Sequence, residues 1–208
     1  MFTDMNLTGV GKFIGLENLK YAFTDDPLFI KAFINTLKYV VMFVPSSIIL
    51  AFFVALLLSK KVKGLGFFRT AFYIPYITSG VAVTILWGWI YQKDYGIINY
   101  VLSLFGIKGV NWLGDKNIAM ISIVILSLWT IGNNIIIMLA GIQDIPQSYY
   151  ESAQIDGAGA IRQIFSITLP LCTPTIYFNL IVTIIAAFQV FQQPLILTNG
   201  GPLNSTYT

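Results

Sequence analysis

The amino-acid sequence predicts an all-α integral membrane protein, built as a polytopic bundle of helices. Two observations carry this prediction. Hydrophobic residues make up 56% of the chain and charged residues 10%, whereas about 25% of the residues in an ordinary soluble domain are charged. The apolar residues also gather into four runs, each long enough to cross a hydrocarbon core of roughly 30 Å as a helix. These predicted spans are 37–58, 71–91, 118–142 and 176–197.

The composition excludes several classes of function. The chain has no histidine, which excludes imidazole general-base chemistry and histidine-ligated metal sites. Cys172 is the single cysteine, so no internal disulfide can form. The net charge of +3 is small and the basic residues are dispersed, so no nucleic-acid surface is expected. Segment 9–13 is not a phosphate-binding loop, because Asn6 and Phe13 stand where that loop needs Gly and Ser or Thr.

Residues 1–31 are expected to form an extracytoplasmic or interfacial lead-in. They are polar and lack the basic-then-apolar pattern of a signal peptide. Residues 25–27 (Asp-Asp-Pro) predict a helix start, with Asp as the cap and Pro in the first turn. An amphipathic stretch through Phe29, Phe33 and Leu37 is then expected to lie on the membrane surface before the first crossing.

The loop after the first span fixes the expected orientation. The span itself is apolar except for Lys38, which lies at its end and can extend its ammonium group to the interface. Burying one basic residue at mid-bilayer would cost about 2.5 to 3.5 kcal/mol on insertion scales. The loop is therefore predicted to be cytoplasmic, because four basic residues follow the span without an acid: Lys60, Lys61, Lys63 and Arg69.

The second span contains Pro75, which predicts either a simple kink or a hinge. Trp87, Trp89 and Tyr91 near its end are typical of an aromatic belt at the membrane interface. The two tryptophans could instead stack on a sugar, which is the less common use of such residues.

The rest of the chain alternates between polar segments and apolar spans. Segment 92–117 is rich in glycine and too polar to cross, so we interpret it as an external cap. The third span has polar residues at 132–134, and the loop 143–174 then returns to the side of the basic loop. After the fourth span, the tail 199–208 lies outside again.

The loop between the third and fourth spans is predicted to hold two short helices at an angle, which form a protruding elbow. Ser148 and Glu151 have the spacing of a capping box. Gly157 is placed to end the first helix in a left-handed conformation. A second helix would run over 160–168 before residues 169–170 (Leu-Pro) turn the chain back to the membrane. On this spacing alone, a capped loop helix without a partner is as good an interpretation as a docking segment.

This loop resembles the cytoplasmic loop of the permease subunits of binding-protein-dependent ABC importers. The family usually has alanine where Ser152 stands, a small-for-small change that a short helix tolerates. The matching pattern in this chain is Glu151-Ser152-Ala153, three residues, Gly157, nine residues, and Ile167-Thr168-Leu169-Pro170.

Further segments resemble the carbohydrate-uptake permeases of the maltose and glycerol-phosphate type. This resemblance implies a type I importer permease whose transmembrane domain covers 37–198. Permeases of that kind usually have six or more spans, so the chain is expected to lack the first and the last. The segments are 13–18 (Phe-Ile-Gly-Leu-Glu-Asn), 67–70 (Phe-Phe-Arg-Thr), 73–75 (Tyr-Ile-Pro), 94–96 (Asp-Tyr-Gly), 111–114 (Asn-Trp-Leu-Gly) and 197–202 (Leu-Thr-Asn-Gly-Gly-Pro).

The resemblance implies that the elbow docks into a groove of a separate ATPase, whose nucleotide-driven closure tilts the spans. Tyr149, Tyr150, Ala153 and Ala158 would supply the contact face, and Glu151 would be a fixed charge. The complete set of predicted coupling residues is Tyr149, Tyr150, Glu151, Ser152, Ala153, Asp156, Gly157, Ala158, Ile167, Leu169 and Pro170.

The other parts of such an importer are also implied. The chain would be a pore subunit without enzymatic activity of its own, because ATP and Mg would be held by the partner ATPase. The expected partners are a second permease subunit in a heterodimer, two copies of the ATP-binding subunit, an extracytoplasmic solute-binding protein and membrane lipid, without nucleic acid. The expected location is the bacterial inner (cytoplasmic) membrane, crossed several times.

Polar side chains inside the predicted spans are candidates for a sugar pathway, because such groups are costly in lipid. Interhelical hydrogen bonding that only holds the bundle is the equal alternative. The candidates are Asn133, Asn134, Asn179, Gln189, Gln192 and Gln193.

Two other functions compete with an ATP-driven importer. An ion-coupled secondary transporter would need acids within the membrane, whereas all nine acids lie outside the four predicted spans. A membrane-bound hydrolase would need a nucleophile with a base, and histidine is not there to serve as that base.

Overall fold

The computed structural model describes residue 3, residues 12–60 and residues 64–208, and its regular structure there is almost entirely helical. Residues 1, 2 and 4–11 of the predicted lead-in, and Lys61 and Lys63 of the predicted basic loop, lie outside these ranges. The helices are α1 Glu17–Thr24, α2 Pro27–Ser59, α3 Leu65–Ile77, α4 Gly80–Ile90, α5 Ile97–Leu104, α6 Ala119–Trp129, α7 Gly132–Gln143, α8 Gln147–Ile155, α9 Ala160–Gln163, a π-helix Ile164–Thr168, α10 Leu169–Leu171, α11 Thr173–Phe188 and α12 Gln192–Thr198.

The long helix α2 begins as the sequence predicts. The Asp26 carboxylate accepts hydrogen bonds from the backbone N–H groups of Leu28 (2.8 Å) and Phe29 (3.4 Å), and Pro27 is the first helical residue. Residues 27–37 and the predicted span form one continuous helix of 33 residues, and the place of the lead-in at the membrane surface stays a prediction. Residues 28–37 contain neither glycine nor proline, so nothing in that part separates it from the span that follows.

Helix α2 is also the centre of the core. Its second half packs Ala51 and Ala55 against α7, where Ile135 and Met138 are buried. Its first half packs around the buried Tyr39 against α6 and the end of α11. Both halves of the bundle are therefore assembled on a single helix.

Among the described residues, α2 alone is long and apolar enough to cross a membrane as one helix. Three further pairs of helices are long and apolar enough to cross a membrane only when the two members are counted as one. These pairs are α3 with α4, α6 with α7, and residues 160–171 with α11. The two members of these pairs are bent relative to each other by 98°, 50° and 66°. Four crossings therefore require that each bent pair counts as one span.

The second predicted span is divided in the structure between α3 and α4. The break does not lie at Pro75, which is buried within α3, but at Thr78, where the backbone becomes extended before α4 begins. Helix α4 turns by 98° and packs on α12. The break therefore coincides with the packing of α4 on α12 and not with the proline.

The bend after α3 also overturns the predicted aromatic belt. Tyr91 is buried and donates a hydrogen bond from its hydroxyl to the backbone carbonyl of Ser122 at 2.8 Å. Trp87 is half-buried and contacts Trp129 edge-to-face, with 5.7 Å between ring centroids. Only Trp89 is exposed in the way an interfacial anchor requires.

The third predicted span is bent at residues 130–131, next to the polar residues that the sequence indicated. Gly132 lies against α3 so closely that a Cβ at this position would be 2.3 Å from the backbone oxygen of Phe72. Glycine is therefore required here for the close approach of two helices.

The fourth predicted span is too long at its C-terminal end. Helix α11 ends at Phe188, and the short helix α12 follows after Phe191. The tail then packs on the first turns of α2, where the Asn35 amide donates to the backbone oxygens of Asn204 and Tyr207, both at 2.9 Å. The tail thus belongs to the packed structure.

The predicted cap is organised around Asn99, which is buried on α5. Its amide nitrogen donates to the backbone oxygens of Lys93 (2.8 Å) and Val110 (2.9 Å). Its amide oxygen accepts from the backbone N–H of Val110 (3.0 Å) and from Nε1–H of Trp112 (2.9 Å). One side chain therefore ties together three parts of the cap.

Candidate functional site

The elbow that the sequence predicts is formed by α8, a turn at Gly157 and helix 160–171. The turn is a Schellman motif, in which the N–H of Ala158 bonds to the carbonyl of Ala153 (2.8 Å) and the N–H of Gly157 bonds to that of Gln154 (3.0 Å). Gly157 has a φ of +76°, which confirms its predicted left-handed conformation. The backbone alone thus satisfies the end of α8.

The predicted capping box at the start of α8 is wrong. The helix begins at Gln147, one residue before the expected cap, and Pro146 occupies the N-cap position without a side-chain hydrogen bond. Ser148 therefore lies within the first turn, and Glu151 lies too far along the helix to reach the cap. The fixed backbone angle of Pro146 starts this helix in place of a polar cap.

The second helix of the elbow begins at Ala160, as predicted, but it does not end before Leu169. It continues through the π-helix and α10 to Leu171, so the prediction that Leu169 and Pro170 turn the chain is wrong. The bend, of 66°, lies at Cys172. Pro170 lacks an N–H and lies directly after the π-helix, where the N–H of Leu169 bonds five residues back to the carbonyl of Ile164, so the regular α-helical bonding is already interrupted there.

The predicted contact face is divided by the structure. Tyr149 is exposed, whereas Tyr150 points inward and its hydroxyl lies 3.0 Å from Oγ1 of Thr168, which is itself buried in the π-helix. Ala153 and Ala158 are half-buried and line a small cavity between α8 and the second helix. Tyr150 thus holds the two helices of the elbow together.

The other predicted coupling residues lie mainly on the outside of the elbow. Ile167 is half-buried beside the small cavity between the two helices. The exposed residues are Glu151, Ser152, Asp156, Gly157, Leu169 and Pro170.

Three large apolar side chains at the tip of the elbow escaped the sequence analysis. Ile155 is 87% exposed, Ile161 is 73% exposed and Phe165 is 66% exposed. We call these three residues the tip patch. The sequence signal was their position on either side of the Gly157 turn, where a short helix cannot bury every apolar residue.

A second cavity, of about 560 Å³, separates the elbow from the end of α2. Polar side chains line much of it, including those of Gln143, Gln147, Gln154 and Gln163. The elbow therefore does not pack densely against the bundle, and it is held away from the bundle by polar groups.

Two of the predicted pathway residues make hydrogen bonds between α7 and α11. The Asn134 amide nitrogen donates to Oγ1 of Thr183 at 2.9 Å. Asn179 is fully buried, and its amide nitrogen donates to the backbone oxygen of Asn134 at 3.4 Å. These bonds are of the bundle-holding kind, and a role of the same residues in a sugar pathway stays a prediction.

The remaining pathway candidates differ in exposure and lie at several places in the fold. Asn133 is half-buried on α7, while Gln189 is exposed after the end of α11. Gln192 and Gln193 begin α12 and are half-buried. The oxygen Oδ1 of Asn179 is buried without a hydrogen-bond partner in the described part of the chain.

Residues 27–208 match a family described as "Binding-protein-dependent transport system inner membrane component". Over 99% of its length, the chain is 40% identical to the probable ABC transporter permease protein YesP of Bacillus subtilis and covers 67% of that protein. It is 36% identical to the sulfoquinovosyl glycerol transport system permease protein SmoG of Agrobacterium fabrum, over 100% of this chain and 68% of that protein. It is also 36% identical to the trehalose/maltose transport system permease protein MalF of Thermococcus litoralis, over 93% of this chain and 66% of that protein.

A similar architecture is present in the crystal structure of a bacterial ABC transporter involved in the import of the acidic polysaccharide alginate. The TM-score is 0.78 at 28% identity, over 94% of this chain and 68% of the other chain. A second structure shows the alginate transporter in complex with an alginate pentasaccharide-bound periplasmic protein, with the same TM-score and identity and a coverage of 93% and 68%. The chain thus spans about two thirds of the length of the proteins it matches.

Proposed function

The chain belongs to the family of binding-protein-dependent transport system inner membrane components, and from this premise we propose that it is the permease subunit of an ATP-driven sugar importer. It forms half of a translocation pathway in the bacterial cytoplasmic membrane and crosses that membrane several times. Its elbow, residues 148–170, receives the motion of a separate ATPase. Family membership favours this function over an ion-coupled secondary transporter.

The observation that carries the coupling role is the tip patch. Ile155, Ile161 and Phe165 are exposed on the one part of the chain whose residues match the family's loop pattern. Large apolar side chains that remain exposed on both helices of one short loop favour a surface for a protein partner. Because the Schellman turn fixes the two helices relative to each other, the patch can meet a groove of the ATPase as a preformed unit.

The partners follow from the same premise. A solute-binding protein delivers the substrate from outside, a relationship supported by the alginate transporter and its periplasmic protein. A second permease subunit completes the pathway as a heterodimer. Two ATPase subunits hold ATP and Mg, and this chain itself binds no cofactor and hydrolyses nothing.

The substrate class is supported by what several relatives carry. Their names specify sulfoquinovosyl glycerol, trehalose or maltose, and arabinooligosaccharides. All of these solutes are carbohydrates or carbohydrate derivatives. We therefore assign a sugar or oligosaccharide to this importer.

The coupling role is tested by co-purification with the ATPase subunit. Replacing Ile155 and Ile161 together by Ser should reduce the amount of bound ATPase at least tenfold, because a buried interface centre of this kind dominates association. In the control, Ser replaces Ile97 and Leu104. These two residues are also exposed, but they lie on the cap helix α5. The coupling role is wrong if both variants retain the ATPase equally.

The substrate class and the energy source are tested in proteoliposomes that contain the complete complex and its binding protein. ATP enclosed with the ATPase should drive uptake of a labelled oligosaccharide, and an ion gradient without ATP should not. Uptake that depends on the gradient alone would replace our proposal with the ion-coupled alternative.

A further inference from the structure

An open groove of about 890 Å³ lies between the first half of α2 and the start of α6. The cavity beneath the elbow is lined by Leu56, Leu57 and Ser59 at the end of α2 and by its C-cap Lys60, whereas this groove is lined by residues between 31 and 42. The groove is therefore at the end of the bundle opposite to the elbow. If the elbow is cytoplasmic, the groove opens towards the outer leaflet of the membrane.

The groove is positively charged. Lys31, Lys38 and Lys116 contribute to its lining, and no Asp or Glu does. The Lys31 ammonium group donates to the backbone oxygen of Leu203. Lys38 and Lys116 are exposed, and neither makes an ion pair with an acid in the described ranges. Two ammonium groups are thus available for an anion.

The walls below these lysines are apolar. Ile34, Leu37 and Val41 form an exposed stripe on α2, at the spacing of one helix face, and Ile121 faces them from α6. Lys38 lies within that stripe, where its four methylene groups can lie along apolar surface while the charge stays near the interface. The groove therefore combines cationic groups with apolar walls that continue into the bundle.

From this combination we infer that the groove binds one anionic phospholipid. A lysine is a compact charge on a flexible stem that binds phosphate groups, and the stem can lie along the apolar walls while the ammonium group meets the head group. The phosphate lies between Lys38 and Lys116, and the acyl chains lie along Ile34, Val41 and Ile121. An acidic sugar fits less well, because no aromatic ring lines the groove for stacking.

The inference is independent of the ATPase and can be tested while the proposed function stays untouched. The purified permease complex is stripped of lipid and mixed with vesicles of phosphatidylcholine, with or without phosphatidylglycerol. Native mass spectrometry then counts the lipids retained by each permease. We expect one phosphatidylglycerol to be retained and to raise the melting temperature of the complex, since a ligand stabilises the state it binds.

Two sets of variants decide whether the groove is the site. Replacing Lys38 and Lys116 by Gln should weaken retention roughly 30-fold, because each lysine near an anionic lipid contributes about fivefold. Replacing the same two residues by Arg keeps the charge and should restore retention. The control replaces Lys93 and Lys108 by Gln, which are exposed lysines of the cap outside the groove.

Four outcomes would overturn the inference. Retention of phosphatidylcholine to the same extent would show that charge does not matter. An equal loss in the Lys93 and Lys108 control would show that the site lies elsewhere. An equal rise in melting temperature with inorganic phosphate or glycerol phosphate would indicate that the groove binds a soluble anion. Photo-cross-linking of another subunit by a maleimide-linked probe on Ile121→Cys, without bound lipid, would show that a protein helix fills the groove.

Discussion

The two ends of the bundle are built in different ways. At the cap, residues 92–117, one buried side chain makes four hydrogen bonds, and Ser122 and Tyr91 add further bonds to the same region. At the elbow, residues 147–171, the two helices are held together mainly by the backbone turn at Gly157 and by one side-chain hydrogen bond between them. Both ends expose apolar side chains, but only the cap is closed by a polar network.

This difference indicates which end can move. Helix α5 turns its polar residue Asn99 inward and exposes Ile97, Tyr100 and Leu104 at helical spacing, an arrangement typical of a helix that lies at a membrane interface. A network of four bonds holds it in one orientation. The elbow, in contrast, is separated from the end of α2 by a cavity with both polar and apolar lining, so we expect it to tilt more easily than the cap.

The largest expected effect is at the cap, where Asn99→Ala should lower the free energy of unfolding by roughly 3 kcal/mol or more. The substitution leaves the N–H of Val110 and Nε1–H of Trp112, both half-buried, without their acceptor, at about 1 to 3 kcal/mol for each unsatisfied group. The control is Asn111→Ala, which removes one exposed bond to the N–H of Gly114. Thermal unfolding in detergent measures both, and equal losses would show that the network does not hold the cap.

The next effect is at the turn of the elbow, where Gly157→Ala should cost about 1 to 2 kcal/mol. A Cβ at this position meets no atom within 4 Å, so the cost comes only from the left-handed φ of +76°. Gly159→Ala is the matched control, because its Cβ also meets nothing within 4 Å while its φ is −68°. Melting temperature and ATPase co-purification are measured for both variants. Equal values for the two variants would show that Gly157 is not the joint of the elbow.

A smaller effect is expected for the bond between the two helices of the elbow. Tyr150→Phe removes the hydroxyl that lies 3.0 Å from Thr168 and should cost about 0.5 to 1.5 kcal/mol. Tyr149→Phe is the control, since Tyr149 is 52% exposed. Hydrogen exchange of the backbone N–H groups in residues 160–171 should rise for the first variant only. Unchanged exchange in both would mean that the bond does not hold the elbow together.

The parts of the fold that the sequence predicted correctly depend on the chemistry of single residues. Asp26 and Pro27 start a helix in any context, and Gly157 favours a left-handed turn wherever it ends a helix. The bend after Ile77 was placed wrongly because the contact of α4 with α12 has no local signal.

The facing of the elbow could not be predicted for the same reason. Helix α8 is short and mostly polar, so its sequence does not specify which side faces the second helix. Tyr150 turns inward because it finds Thr168 there, and the π-helix that places Thr168 arises from the second helix. Ile155 consequently lies outside, where the resemblance to a family pattern gave it no role.

The smallest effect on stability is expected at Ser148 and Glu151, and it distinguishes the capping box that the sequence predicts from the helix start that the structure shows. If a capping box started α8, Glu151→Gln would leave stability nearly unchanged while Ser148→Ala would cost about 1 kcal/mol. With Pro146 at the N-cap, we expect both changes to stay within about 0.5 kcal/mol, because both side chains are exposed. The matched control at the cap end is Asp115→Ala, which removes a carboxylate that accepts from the N–H of Asn117 at 2.8 Å and should cost about 1 kcal/mol. A loss at Ser148 as large as that at Asp115 would show that the elbow, like the cap, is held by side chains, and the contrast between a fixed end and a moving end would fail.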